Sequence, residues 1–549
     1  GTTVVEVMAL GELDEYDPGL VNLLTGLSGI GPAGQSPSPL GDIDIPQLET
    51  LLRSLNTLDL KADKYHTVRK LIHDLHETMD PKGSRLTYWK NVLECRKRQM
   101  KKLDQDFANS RRIRAQRFEA LDRLQNESSR LICGSATNAI TDADHEEVDI
   151  GLDGTFPQRE LYYHRGCYIC KKRFVKLHHF YDQLCPSCAE LNWDKRNSRA
   201  DLTGKVFLVT GARVKIGFEC CKRLLECNAT VLATSRFPMD CAKRFAELPE
   251  FPEYQSRLHI YGIDLRDLNS TIRLTDRIKA QYPRLDGIIN NAAQTVRRPP
   301  IYYKHLMDIE ENPTKFLSAD VLEIVHDSDD GGLDHHMISP SIPTDTLVKS
   351  VALHKSAALS QIALLHDDLA QAEFFPEQNF DVNNQQLDLR RQNSWTMLCH
   401  QISPIELVEV FTVNALSPFI LNSRLQPLLK STEGSKYVIN VSAMEGKFYR
   451  HKNPYHPHTN MAKAALNMLT RTSSIDFARD SIYMNSVDTG WINDENPFEI
   501  CVHNASQNFT TPIDEIDAMA RILDPIIEGT NNNVFPFGKF LKDYRETEW

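Results

Sequence analysis

The pattern of apolar and polar positions changes character along the 549 residues. Residues 1–45 include TGLSGIGPAGQSPSPLGD, too rich in Gly, Pro and Ser to pack a core, and read as a linker or disordered segment. Within it PGLVNLLTGL is apolar, and reads either as a docking peptide or as an ordinary surface element. Over 46–135 the period becomes helical: PQLETLLRSL, KYHTVRKLIHDLHETM, a break at DPKGS, then a long run from Leu86. In that run Trp89, Leu93, Met100, Leu103 and Phe107 recur near helical spacing. Its basic clusters CRKRQMKK and RRIRAQR read as the solvated face of a helical hairpin, with docking to an acidic partner or RNA as the alternative.

Beyond residue 200 short apolar runs alternate with helical ones. GKVFLVTGARVKIGFECCKRLLECNATVLATSRF reads as a strand, a tight glycine turn, a helix, and a second strand ending at Ser235-Arg236. That is a βαβ unit, whose helix N-terminus receives a pyrophosphate. LHIYGIDLRD adds a strand ending at Asp264-Leu265, and LDGIINNAA one ending at Asn290 to Ala293. ELVEVFTVNALSPFIL places Asn414 in a helix, KYVINVSAMEG ends a strand at Ser442, and IYMNSVDTGW ends another at Gly490.

Between the helical and alternating regions, residues 155–198 hold CYIC and CPSC. Cys167, Cys170, Cys185 and Cys188 thus form two CxxC knuckles separated by fourteen residues. Four thiolates at this spacing converge tetrahedrally on one Zn²⁺, as in a zinc ribbon or half of a larger zinc finger. A four-cysteine site is closed to further ligands, so the zinc holds a fold and performs no chemistry. His164, His178 and His179 nearby read as surface or packing histidines.

Composition narrows the class. Apolar residues at 41% and charged residues at 25% suit a globular protein, and a formal charge of -11 argues against general nucleic-acid binding. No apolar run approaches the ~20 residues of a membrane span, and no signal peptide opens the chain. Twelve cysteines in a chain of this length, four of them clustered, indicate a reducing, intracellular, cytoplasmic setting. The chain opens at Gly1, which is compatible with a targeting peptide having been removed.

The glycine loop, Asp264, the NNAA motif, Asn414, Ser442, Lys463 and Asp488-Thr489-Gly490 follow one another in the order of the short-chain dehydrogenase/reductase family, which residues 201–549 resemble. The resemblance implies an α/β fold with a doubly wound, Rossmann-like parallel sheet, and hydride transfer between a nicotinamide and a carbonyl or alcohol. It places Thr210, Gly211, Ile216 and Gly217 at the pyrophosphate turn, Asp264 at the adenine, and Asn291 and Ala292 beside the adenosine ribose. Lys463 would hold the nicotinamide ribose, Ser442 the substrate oxygen and Asn414 a relay water, with Gly490 in the last cofactor turn. Arg213 and Arg236 make a positive pocket where NAD-specific members carry an acid, which favours NADP(H) over NAD.

Three departures bear on activity. Lys215 stands where the family's TGxxxGxG has a glycine. About 120 residues separate Ala293 from Asn414, an insertion at about 296–392 beside the substrate cleft, read as a lid or partner-binding arm that is partly disordered. Its Asp327, Asp329, Asp330, His335 and His336 read as a solvated acidic loop. In YHPHTNMAK, Thr459 occupies the position of the family's acid, a tyrosine four residues before Lys463, and Pro457 sets Tyr455 ahead of the helix. Two readings stay open. One is an NADP(H)-binding pseudoenzyme that serves as a scaffold or cofactor-sensing subunit for a protein partner held by the helical region, zinc module or insertion. The other is an active reductase whose acid is Tyr455, a nearby histidine or a relayed water. A homo-oligomer fits either.

Overall fold

The computed structural model describes residues 84–119, 159–327, 355–365, 368, 372–381, 385–449, 452–492 and 495–549. The expected linker 1–45, the helical runs before residue 84, and Asp329, Asp330, His335 and His336 lie outside the described residues. The chain divides into two units, 1–103 and 104–549. What is described of the first is a stretch of α1, Ser84–Asn109, which matches the long helical run.

In the second unit the end of α1 and described residues up to 119 precede the cysteine module, which comprises β1 (Glu160–Gly166), β2 (Arg173–Lys176) and α2 (Pro186–Asn197). The alternating region follows as β3 (Val206–Val209), α3 (Lys215–Glu226), β4 (Thr230–Ser235), α4 (Pro238–Ala246), β5 (Leu258–Gly262), α5 (Leu268–Gln281) and β6 (Gly287–Asn290). The insertion supplies α6 (Pro300–Glu311) and β7 (Val325–Asp327). Then come α7 (Pro404–Phe411), α8 (Ser417–Ser431), β8 (Lys436–Ser442), α9 (Pro457–Ala478), β9 (Ile482–Asp488), α10 (Glu515–Asn532), β10 (Phe540–Lys542) and β11 (Arg545–Thr547).

Strands β3 to β11 make one sheet in the order β11-β10-β9-β8-β6-β3-β4-β5-β7, parallel except for β11. Every residue of β3, β6 and β8 is buried, as parallel strands covered on both faces require. The alternation is strict in β3. Phe207 and Val209 face a core closed by Leu224 of α3, Phe245 of α4 and Ile522 of α10, whereas Val206 and Leu208 face Leu274 of α5 and Leu425 of α8.

From β3 the chain winds one way through β4 to β5 and the other way through β6 to β8, β9 and β10. A ligand crevice forms outside the carboxyl ends of the strands where the winding reverses. Part of the insertion is not a free arm: β7 extends the sheet beside β5, pairing Val325 with Ile260, and α6 packs Tyr303 against Phe237. The stretch Pro404–Ser431 is apolar and long enough to cross a membrane, but 56% of its most apolar window is buried in this fold, as in a core helix.

Candidate cofactor site and metal centre

The turn between β3 and α3 is tight because glycine is required twice. Gly211 has φ +71°, and a Cβ there would lie 2.9 Å from Ala292 Cα. A Cβ on Gly217 would lie 2.1 Å from the Gly211 carbonyl oxygen. Asn291 Nδ2 donates to the carbonyls of Thr210 (2.9 Å) and Gly211 (3.2 Å), and Ala292 N–H donates to Thr210 Oγ1 (3.0 Å). The NNAA segment therefore ties the end of β6 to the glycine turn. Lys215 opens α3 at φ +55°, a left-handed conformation that costs a side-chain-bearing residue about 1–2 kcal/mol. That is the physical reason a glycine suits this position.

A cavity of about 310 Å³ opens beside the turn, lined among others by Gly211, Arg213, Ile216, Gly217, Arg236, Asp264, Arg266, Asn291, Ala292, Gln294 and Ile492. Arg236 Nη2 donates to Tyr303 Oη at 2.9 Å, with its guanidinium 4.7 Å above the Tyr303 ring. Arg213 is held by Asp240 (2.9 Å) and Gln385 (2.5 Å). Burial would raise the Asp264 carboxyl, but hydrogen bonds from Arg266 and the charge of Arg236 hold it below the usual range. Arg266 Nη2 lies 2.7 Å from Asp264 Oδ2, and its Nη1 reaches Glu409 at 3.0 Å. Arg236 and Arg266, which follow β4 and β5, line this cavity, and Arg266 is paired with both Asp264 and Glu409.

The expected nicotinamide-side residues are buried and bonded within the protein. Asn414 sits in a π-helical turn, Thr412–Leu416, and exchanges hydrogen bonds with the Gln294 backbone, accepting at 2.8 Å and donating at 2.9 Å. Ser442 Oγ donates to Asn467 Oδ1 at 2.6 Å. Lys463 Nζ donates to the Val441 carbonyl at 2.8 Å, and burial pulls its pKa down to about 8 against the opposing charge of Glu445.

Thr459 lies one turn before Lys463 on α9, with its hydroxyl buried and without a hydrogen-bond partner among the described residues. Tyr455 precedes the helix, which starts at Pro457, and is 41% exposed. Its exit is enforced by His456, which takes φ +43° and stacks flat on Trp395 at 3.9 Å. His458 is 2% exposed. Neither of its ring nitrogens has a hydrogen-bond partner among the described residues, and Nε2 stands 4.0 Å from Glu406 Oε1. Burial lowers its pKa, opposed by the Glu406 carboxylate.

In the cysteine module all four sulfurs of Cys167, Cys170, Cys185 and Cys188 lie within 4.8 Å of one another. A tetrahedral zinc with ~2.3 Å bonds needs sulfurs about 3.8 Å apart, so the cluster fits one Zn²⁺ held by these four residues. The first knuckle is a hairpin turn, but the second opens a helix: Cys185 is the N-cap of α2. The module is therefore a hairpin plus a helix, where a ribbon would have two hairpins, because Pro186 starts a helix readily at its first position. His178 packs by accepting from Phe180 N–H at 3.1 Å.

Comparison with known proteins agrees with this geometry. Residues 205–312 match the short chain dehydrogenase family, and residues 393–508 match the Enoyl-(Acyl carrier protein) reductase family description. The chain belongs to the short-chain dehydrogenase/reductase family. Uncharacterized protein R665 of Acanthamoeba polyphaga mimivirus is 30% identical over 376 residues, 66% of this chain and 71% of that protein. The fatty acyl-CoA reductase of Acinetobacter baylyi is 34% identical over 101 residues, 18% of this chain and 33% of that enzyme. The (-)-isopiperitenone reductase of Mentha piperita is 37% identical over 86 residues, 16% of this chain and 27% of that enzyme. The chain thus spans a third or less of either reductase. Among solved structures, the carbonyl reductase Sniffer of D. melanogaster is 15% identical with a TM-score of 0.37, covering 63% of this chain and 100% of that one. A metagenomic short-chain oxidoreductase in complex with NADP is 14% identical with a TM-score of 0.36, covering 62% of this chain and 99% of that one.

Within this family member, the stretch between the two matched regions carries β7 and two carboxylates, Asp368 and Asp388, that pair with arginines of the insertion itself, whereas Glu409 of α7 ties Arg297 to the core. Arg297 pairs with Asp368 (2.8 Å) and Glu409 (3.4 Å), and Arg298 and Arg390 both bond Asp388. Arg266, Glu409 and Ile492 were missed in the sequence. Arg266 carried a signal, standing two residues after Asp264, but Glu409 and Ile492 reach the site only through tertiary packing.

Proposed function

We propose that the chain binds NADP(H) and serves as a cofactor-responsive subunit for a protein partner, without the family's tyrosine-type proton transfer. The observation that carries this is Thr459: the acid's place holds a short, buried hydroxyl of very high pKa, while Tyr455 stands outside the helix in solvent. Arg236, Arg266 and Arg213 around the cavity support the 2′-phosphorylated cofactor. The four-thiolate cluster supports a structural zinc and a reducing intracellular compartment. A thermal-shift titration tests the binding half: NADPH raises the melting temperature with the logarithm of its excess over Kd, and NADH does so less. No shift with either at millimolar concentration rules the reading out.

A second reading has its own observation. His458 places two buried ring nitrogens, without a hydrogen-bond partner among the described residues, beside Glu406 and one residue before Thr459, which suits a histidine acid in an active reductase. NADPH oxidation with a panel of carbonyl substrates separates the two: turnover lost in His458→Gln but kept in Tyr455→Phe supports the enzyme.

A further inference from the structure

The cysteine module packs on Ile492, a residue that lines the cavity. Tyr168 lies inside the first knuckle, between Cys167 and Cys170. Its backbone is fixed, since its N–H donates to the Gln183 carbonyl at 2.9 Å and Cys167 N–H donates to the Lys172 carbonyl at 2.9 Å. Its phenol oxygen accepts from Trp491 N–H at 3.0 Å, in the turn that follows β9. That turn is otherwise narrowly held. Gly490 has φ +80°, and a Cβ on it would lie 2.5 Å from Ile513 and 3.6 Å from the Tyr168 hydroxyl. Ile492, one residue past Trp491, faces both ways: it lines the cavity and packs on the cluster that holds Cys167, Cys185 and Ile513. Thr511 Oγ1 secures its carbonyl at 2.9 Å.

The sheet order says which half of a dinucleotide this turn meets. Arg236 and Asp264 follow the ends of β4 and β5 on one side of β3, whereas β9 lies on the other, beyond β6 and β8. A dinucleotide across the carboxyl ends of the strands, with its adenosine end at Arg236, runs its other half toward β8 and β9.

We propose that the metal knuckle braces the cofactor wall, with Tyr168 as a positioning residue that sets the Gly490 to Ile492 turn and thereby the affinity for the nicotinamide half. The inference rests on the NADP(H) reading above. Zinc enters as the clamp on the knuckle that carries Tyr168, and no reaction step passes through it.

The test uses the zinc-loaded full chain and two probes, NADPH and adenosine 2′,5′-bisphosphate, which occupies the adenosine half alone. Loss of one neutral hydrogen bond in Tyr168→Phe weakens NADPH about fivefold. Adenosine 2′,5′-bisphosphate stays within about twofold, and zinc stays at one per chain, with the melting temperature lowered by no more than the loss of one hydrogen bond allows. A purely structural role would not split the two probes. Equal weakening of both probes, or no weakening of NADPH in Tyr168→Phe with zinc retained, overturns the brace. Failure of both probes to bind the unmodified protein overturns the cofactor reading itself, a result read before any variant is made.

Discussion

Gly217→Ala is the sharpest single change the turn allows. The added methyl would stand 2.1 Å from the Gly211 carbonyl oxygen and 2.5 Å from Asn291 Nδ2, so at least one of these must retreat by about 1 Å. Both belong to the frame of the site: the Gly211 oxygen is in backbone already fixed at φ +71°, and Asn291 Nδ2 makes the two bonds that join β6 to the turn. Overpacking costs roughly 1–3 kcal/mol and a strained hydrogen bond about 1 kcal/mol, giving a loss of roughly 2–4 kcal/mol. Urea unfolding followed by fluorescence should show a lower midpoint at unchanged slope, and NADPH should no longer raise it. A variant with the unmodified protein's midpoint and an intact NADPH response would refute the tight turn, and with it the placement of a pyrophosphate there.

Arg236→Ala removes a guanidinium anchored by Tyr303 at the adenosine end, so NADPH affinity should fall about tenfold or more while NADH changes by less than about threefold; equal losses would contradict 2′-phosphate recognition. Lys463 gives a pH signature. Its folded pKa of about 8 lies below the unfolded ~10.4, so the folded state binds fewer protons between these values and stability rises as pH climbs from 8 to 10. Lys463→Met should lack that rise and, at pH 7 without cofactor, escape a burial cost of up to about 3 kcal/mol, as urea unfolding at several pH values will report. Cys185→Ser should abolish stoichiometric zinc and lower stability; a variant that folds unchanged without metal would contradict the structural site.

The legible part of this chain is the part governed by local rules. Val206 to Val209, Leu258 to Gly262 and Lys436 to Ser442 are mostly apolar runs that a doubly covered parallel sheet buries; β3 and β8 lie where their runs predict, and β5 stops two residues before the expected end at Asp264. The cysteine spacing likewise brought four sulfurs together, because two knuckles need only a short turn each. What could not be read depends on partners distant in sequence. Asp264 is two residues from Arg266, but Arg266 is also held by Glu409, 143 residues away, so the ion-paired state of Asp264 beside the cavity depends on a contact distant in sequence. Tyr455 was legible in its sequence place, ahead of Pro457, yet what keeps it in solvent is the stacking of His456 on Trp395, just past the insertion. β7 was hidden for a similar reason: Val325 to Asp327 is too short to announce a strand, and it forms because β5 offers an unpaired edge.

The central claim is that this fold keeps a 2′-phosphate-selective dinucleotide site while lacking the tyrosine acid, and calorimetric titration of the zinc-loaded full chain with NADPH and with NADH tests its binding half most directly. The account predicts saturable binding of one NADPH per chain and at least about tenfold weaker NADH, the cost of leaving one charge-assisted contact at Arg236 unmade. Equal affinity for the two cofactors, or no heat from either at millimolar concentration, would contradict it.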